Sequence, residues 1–246
     1  MNRYALTLAY DGSQYHGWQK QPNASTVQEV IEGRLSTVLN HTIKIVGCGR
    51  TDTGVHARDY CAHFDLDSIE NFENLKYKLN KTLPKDIKIN DLFMVQPGFH
   101  ARFDALSREY RYYLSSEKDI WNRDYFSLVH GELSLDKMNA AAALLIGKKD
   151  FTSFCKVGSD NENNICEVFE SFWTKEGQKL IYTVRANRFL RNMVRAIVGT
   201  LIEVGQEKIK PEAILAILNE KNRSAAKKSA EAKGLFLSKV EYKRDE

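Results

Sequence analysis

Gly47-Cys48-Gly49-Arg50-Thr51-Asp52-Thr53-Gly54-Val55-His56-Ala57 joins an apolar run, Ile43, Ile45 and Val46, to a second strand-like stretch near Cys61 to Leu66. Two glycines, which open left-handed and close-approach backbone, lead into an arginine, an aspartate between two threonines, and a third glycine. The pattern is a strand end turning into a loop that holds one carboxylate. A neighbouring arginine lowers an aspartate pKa and keeps it ionised, which suits a nucleophile better than a general acid. Arg50 and Asp52 also read as a structural ion pair pinning a turn, and the stretch alone leaves both readings open.

On the N-terminal side, Tyr4, Leu6, Leu8 and Tyr10 alternate as a strand and stop at Asp11-Gly12. Ser25 and Thr26, each with Gln28 or Glu29 three residues on, form capping-box patterns ahead of Val27, Ile31, Leu35 and Val38 on one helical face. A helix is expected to run to about Leu39. On the C-terminal side a helix from about Asn71 to Lys81 and a strand from about Ile87 to Val95 complete the order β-α-β-β-α-β, with the Asp52 loop joining the middle strands.

The second half repeats that order. Tyr110, Tyr112 and Leu114 alternate in a strand, and Leu135 to Ile146 has a helical face ended by Gly147. Strands follow around Val168 to Trp173 and Leu180 to Val184, then a helix from Phe189 to about Val204, a short helix behind Pro211, and a strand at Leu235 to Val240. The expected fold is α+β: two ferredoxin-like (split βαβ) halves, residues 1–104 and 105–246, whose antiparallel sheets join around a central cleft. Asn219 to Lys233, rich in Lys, Ala, Ser and Asn, is expected to be the most mobile stretch.

A chain of 246 residues can bury a core without staples. Its four cysteines, Cys48, Cys61, Cys155 and Cys166, form no C-x-x-C pair and read as reduced thiols of a cytoplasmic protein. No apolar run approaches a membrane span. The net charge of +4 is compatible with a polyanionic partner without demanding one.

Clustering of charge says more than its total. Arg188, Arg191 and Arg195 recur at helical steps beside Phe189, Met193, Ala196, Ile197 and Leu201, so the expected helix carries three arginines along one side. That stripe is either a solvated face or a phosphate-facing one. From Phe99 to Tyr113, cations alternate with aromatic rings, a pattern that fits nucleic acid because cations meet phosphates while rings stack on unpaired bases. Alternation sets Tyr110 and Tyr112 on one sheet face. His56, His63, Cys48 and Cys61 match no zinc spacing, and Asp52, Asp59, Asp65 and Asp67 lack the convergence that two-metal chemistry needs. There is no P-loop, no G-x-G-x-x-G and no G-x-S-x-G.

Together these stretches resemble the TruA family of tRNA pseudouridine synthases. The resemblance is carried by Tyr10-Asp11-Gly12 with Gly17-Trp18-Gln19 and Gln21, Gly49-Arg50-Thr51-Asp52 through Val55-His56-Ala57, Phe99-His100-Ala101-Arg102-Phe103, Tyr110-Arg111-Tyr112, Asp150 to Phe154, and Asn192-Met193-Val194-Arg195 through Gly199. It covers about residues 4 to 242, and departs at Thr53, where the family commonly has alanine. The resemblance implies a cofactor-free and metal-free isomerase with Asp52 as catalytic nucleophile or base. It implies that Tyr110 stacks on the target base, that Arg195 pairs with the catalytic carboxylate, and that Arg50 supports the loop or the flipped base. Its implied substrate is the anticodon stem-loop of tRNA, bound across a homodimer. Two alternatives remain: the same chemistry on another RNA, and a non-catalytic RNA-binding module. A Mg²⁺-dependent nucleotidyl enzyme is a third reading, separated by the effect of a chelator.

Overall fold

The computed structural model describes residues 1–159 and 161–243. The chain separates into two compact units, Met1–Leu106 with the chain from Leu237 onward, and Ser107–Phe236. Both mix helices with strands that pair mostly antiparallel.

The first unit runs β1 (Asn2–Tyr10), α1 (Val27–Leu39), β2 (Val46–Gly47), β3 (His56–Leu66), α2 (Phe72–Thr82) and β4 (Ile87–Val95). Its strands lie in the order β4-β1-β3, with β2 on β3. β1 is central, pairing Tyr4 with Phe64 on one side and with Met94 on the other. α1 turns Val27, Ile31 and Leu35 inward, and α2 turns in Leu75 and Leu79, so the amphipathic spacing of both helices is used as burial against the sheet.

Two local expectations fail here for stated reasons. Thr26 is the residue before α1, but its side chain makes no cap, and its buried hydroxyl has no hydrogen-bond partner among the described residues. The first helical N–H groups are instead taken by backbone: Val27 donates to the Gly17 carbonyl (3.2 Å) and Gln28 to the Trp18 carbonyl (3.1 Å). Likewise Ile43 and Ile45 do not enter a ladder, because their N–H groups donate to Ser36 Oγ (2.9 Å) and Glu32 Oε1 (3.1 Å) of α1. Val46 and Gly47 pair with β3, and Cys48 N–H donates to the Cys61 carbonyl (2.8 Å).

His63 of β3 is buried, and its Nδ1 accepts the Ala101 N–H at 3.1 Å. Burial first, then the positive Arg3 nearby, push its pKa down to about 4. An imidazole that titrates near 6.5 when unfolded is thus kept neutral by the fold. The unfolded chain binds the extra proton first, so this stabilisation is complete above about pH 6.5 and is lost as pH falls toward 4. His63→Gln, which keeps an acceptor without titrating, is expected to flatten the pH dependence of the urea midpoint in that window; equal slopes for both proteins would contradict the assignment.

The second unit contains β5 (Ala105–Ser115, most of it in this unit), β6 (Ser127–Leu128), α3 (Leu135–Ala143), β7 (Gly147–Asp150), β8 (Ile165–Glu176), β9 (Lys179–Ala186), α4 (Met193–Gly205) and α5 (Ala213–Glu220). β10 (Leu235–Tyr242) carries the chain back into the first unit. The order is β5-β9-β8-β7, and the short β6 pairs parallel with β5. α3 ends three residues earlier than its periodicity suggests, and Gly147, at φ 101°, opens β7.

The arginine stripe is also corrected. α4 begins at Met193, not Phe189, because Asn192 takes the left-handed conformation (φ 65°) in the turn that follows β9. Asparagine tolerates that conformation better than most residues, and a right-handed helix cannot pass through it. Arg188 and Arg191 therefore precede the helix, and of the three only Arg195 stands on it.

Candidate active site

Asp52 is half-buried in the loop between β2 and β3, and both of its flanks are fixed by backbone bonds. The Thr51 carbonyl accepts the Trp18 N–H (3.2 Å), and Thr51 Oγ1 shares a hydrogen bond with Tyr10 Oη (2.9 Å). Beyond the acid, Val55 N–H closes a turn onto the Asp52 carbonyl (3.1 Å), while Gly54 N–H donates to the Tyr15 carbonyl (3.3 Å). Under the loop lie three buried rings: Trp18 stacks on Tyr60 at 3.9 Å, with Tyr10 5.7 Å from Tyr60. The Tyr60 hydroxyl donates to the Gly49 carbonyl.

Glycine is required where this loop meets its neighbours. A Cβ on Gly12 would lie 2.0 Å from the Val55 carbonyl oxygen, and one on Gly17 (φ 86°) 2.4 Å from that of Thr51. Where the loop becomes β3, the register against β1 shifts between Leu8, opposite Tyr60, and Tyr10, opposite Ala57. This bulge gives β3 an extra residue next to the loop, a device that re-aims side chains near functional sites. His56 begins the strand, buried, with Nδ1 3.1 Å from Gly12 N–H and 3.0 Å from the Asp11 carboxylate. The unprotonated nitrogen accepts from the first; only the protonated one donates to the second.

Arg50 is exposed, and among the described residues its side chain makes no ion pair or hydrogen bond. The turn-pinning ion pair between Arg50 and Asp52 is therefore not what holds this loop; the backbone bonds and the ring cluster are.

Tyr110 and Arg195 belong to the second unit. Tyr110 on β5 is half-buried, its ring edge-on to Phe189 at 5.1 Å and 88°. Tyr112, two residues on, is fully buried, and its hydroxyl bonds Ser127 Oγ (2.6 Å) and donates to the Glu231 carbonyl (2.8 Å). Burial raises the Tyr112 pKa. Arg195, in the first turn of α4, donates from Nε to the Ala230 carbonyl (2.8 Å), and Ala230 N–H donates back to the Arg195 carbonyl (2.9 Å).

The strap around Ala230 was expected to be mobile, yet it is tied throughout. Asn192 Nδ2 reaches Ser229 Oγ (2.7 Å), Arg223 Nη2 reaches the same hydroxyl (2.9 Å), and Lys227 N–H reaches Thr200 Oγ1 (3.2 Å). Sequence reasoning missed this strap because its polar, lysine-rich composition carries no periodicity; the signal available was the run of small residues, Ser224 to Ala226 and Ser229-Ala230, that lets backbone approach a helix. Among the described residues no group of three or more His, Cys, Asp or Glu side chains is placed to hold a metal ion, and no helix is long and apolar enough to cross a membrane. All four cysteines are buried and outside any disulfide; burial pushes the Cys61 thiol up to about 11 and Cys166 to about 12.

The family profile described as tRNA pseudouridine synthase matches residues 7–104 and 141–243, which include Arg50, Asp52 and Arg195 but not Tyr110. The chain belongs to the tRNA pseudouridine synthase family. Among curated relatives, a tRNA pseudouridine synthase A of Bacteroides thetaiotaomicron is 47% identical over 100% of this chain and 92% of its own. One from Bacteroides fragilis is 44% identical over 100% of this chain and 98% of its own. A solved archaeal box H/ACA sRNP Nop10-Cbf5 complex aligns over 78% of this chain and 44% of that one, at 14% identity and a TM-score of 0.37.

Proposed function

We propose that this chain isomerises uridine to pseudouridine in the anticodon stem-loop of tRNA, with Asp52 as the nucleophile or base on the ribose. The C1′–N1 bond breaks, the base turns while bound, and a C1′–C5 bond forms; the C5 proton leaves and N1 gains one. The observation that carries the role of Asp52 is its loop: a half-buried acid held on both sides by backbone bonds over a stacked ring cluster. Such fixing holds in place the main chain that carries the carboxylate. A base in a stem reaches it only when flipped out, at a few kcal/mol of unstacking that contacts elsewhere offset.

Tyr110, half-buried and braced edge-on by Phe189, stacks on the target base. Arg195 pairs with the catalytic carboxylate, and the Ala230 carbonyl that receives its Nε fixes the guanidinium. Arg50, exposed beside the acid, supports the incoming nucleotide. The strand order β4-β1-β3 with β2 outside supports a split βαβ first half, and β5-β9-β8 echoes it in the second. The reading takes residues 1–104 and 105–246 as two ferredoxin-like halves around an RNA-binding cleft. It extends to a cytoplasmic homodimer binding one tRNA across both subunits, supported by the family resemblance.

The test is tritium release from tRNA labelled at uridine C5, with a chelator present. Wild type is expected to release tritium; tight tRNA binding with no release, on any tRNA tried, would sink the reading. Arg195→Ala is expected to lower kcat by about 10²-fold or more, with KM for tRNA within a few fold and a shifted pH–rate profile. An unchanged profile would mean that Arg195 does not act on the carboxylate.

A further inference from the structure

The turn after β4 presents a ring to solvent on an unusually well-tied backbone. Arg3 Nη1 donates to the Phe99 carbonyl (2.8 Å), Ala101 N–H to His63 Nδ1 (3.1 Å), and the Tyr242 hydroxyl to the Ala101 carbonyl (2.6 Å). Within the turn, His100 N–H donates to Asp104 Oδ2 (2.7 Å), and the N–H groups of Phe103 and Asp104 donate to the His100 carbonyl (3.1 and 3.0 Å). These bonds aim Phe103 outward with 72% of its surface exposed. One face of the ring rests on His100, 4.2 Å between centroids at 31°, and the exposed Arg102 guanidinium lies 5.5 Å from the ring centre.

An exposed ring alone is ordinary, but one on a turn tied on several sides, with an imidazole and a guanidinium against it, is a preformed stacking surface. We propose that His100, Arg102 and Phe103 form a stacking ledge for an unpaired nucleotide of the tRNA, separate from the Asp52 loop. The ring, with His100 packed on it and the exposed Arg102 guanidinium over it, matches a base with its phosphate: the guanidinium moves to the anionic oxygens as the ring accepts the base face. A protein partner would ask for a broader apolar patch, whereas here a single ring is flanked by a cation, which complements a polyanion. The inference rests on the proposed tRNA substrate and adds a contact that offsets the cost of flipping a base.

The experiment measures affinity for an unmodified tRNA transcript by filter binding across a salt series, in an Asp52→Asn background so that the RNA stays unreacted. Phe103→Ala is expected to weaken binding by roughly 5- to 100-fold without changing the slope of log Kd against log salt, as loss of one base stack does. Phe103→Trp, which keeps a stacking face, should retain affinity. Arg102→Gln should reduce the salt slope by about one. Because Phe103 is exposed, Phe103→Ala should melt with the parent, and the comparison is made at equal folded fraction. Affinity of Phe103→Ala within twofold of the parent overturns the ledge. So does a change of oligomeric state in sedimentation with RNA affinity intact, which would give the ring to a second copy of the chain. If wild type neither binds tRNA nor releases tritium, the functional reading fails and the ledge with it; wild-type release with an unaffected Phe103→Ala fails the ledge alone.

Discussion

Asp52→Asn is expected to lower turnover by at least about 10³-fold while tRNA affinity stays within a few fold and the melting temperature within about 2 °C. Asparagine has nearly the shape of aspartate, so the turn closed by Val55 N–H on the residue-52 carbonyl survives the exchange. What disappears is the negative charge and with it both the nucleophilic and the basic oxygen. A structural role makes the opposite forecast: turnover would track a fall in stability. The bonds that Thr51, Gly54, Val55, Tyr60 and Trp18 make around the loop do not use the Asp52 carboxylate, so the exchange leaves them in place. Single-turnover tritium release, filter binding and calorimetry on the same preparation decide between them. A drop in melting temperature of 5 °C or more, about 2 kcal/mol for a chain of this size, would move Asp52 to the structural side.

The parts of this chain that sequence made legible are those whose physics is local. The glycines, threonines and acid of the Asp52 loop demand a turn whatever surrounds them, and Val27, Ile31 and Leu35 demand a buried helix face; both are where the pattern puts them. The cap of α1 was illegible because its partners, the carbonyls of Gly17 and Trp18, are backbone groups brought by a loop, and any sequence offers carbonyls. β2 came out short because Glu32 and Ser36, on a helix, compete for the N–H groups of Ile43 and Ile45. Periodicity extended α4 backward through Phe189, since an apolar residue at the right spacing looks the same inside a helix or in the turn before it; the left-handed Asn192 decides otherwise. The strap that holds Arg195 has no periodicity at all. Its order comes from Asn192, Thr200 and Tyr112, which reach it from distant parts of the chain, and from Arg223 within it.

That strap sets the second large effect, a case where helix propensity and packing give opposite signs. Gly199 lies inside α4, and Gly→Ala in a helix interior ordinarily gains about 1 kcal/mol. Here the new Cβ would sit 1.9 Å from the Lys228 carbonyl oxygen and 3.0 Å from its carbon. A main-chain carbonyl cannot swing aside as a flexible side chain would, so the cost falls at or above the roughly 3 kcal/mol upper end of ordinary overpacking. The clash wins by about 2 kcal/mol, and Gly199→Ala is expected to melt about 4–8 °C below wild type. The displaced segment carries Ala230, whose carbonyl and N–H both bond Arg195. A shift of about 1 Å there misplaces the guanidinium, so turnover measured well below the melting temperature should still fall by roughly 10- to 100-fold. Arg195→Ala combined with Gly199→Ala should then lose little more turnover than Arg195→Ala alone, since both act through one group. A Gly199→Ala protein as stable and as active as wild type would mean that the strap yields freely, and that Arg195 is held by α4 rather than by Ala230.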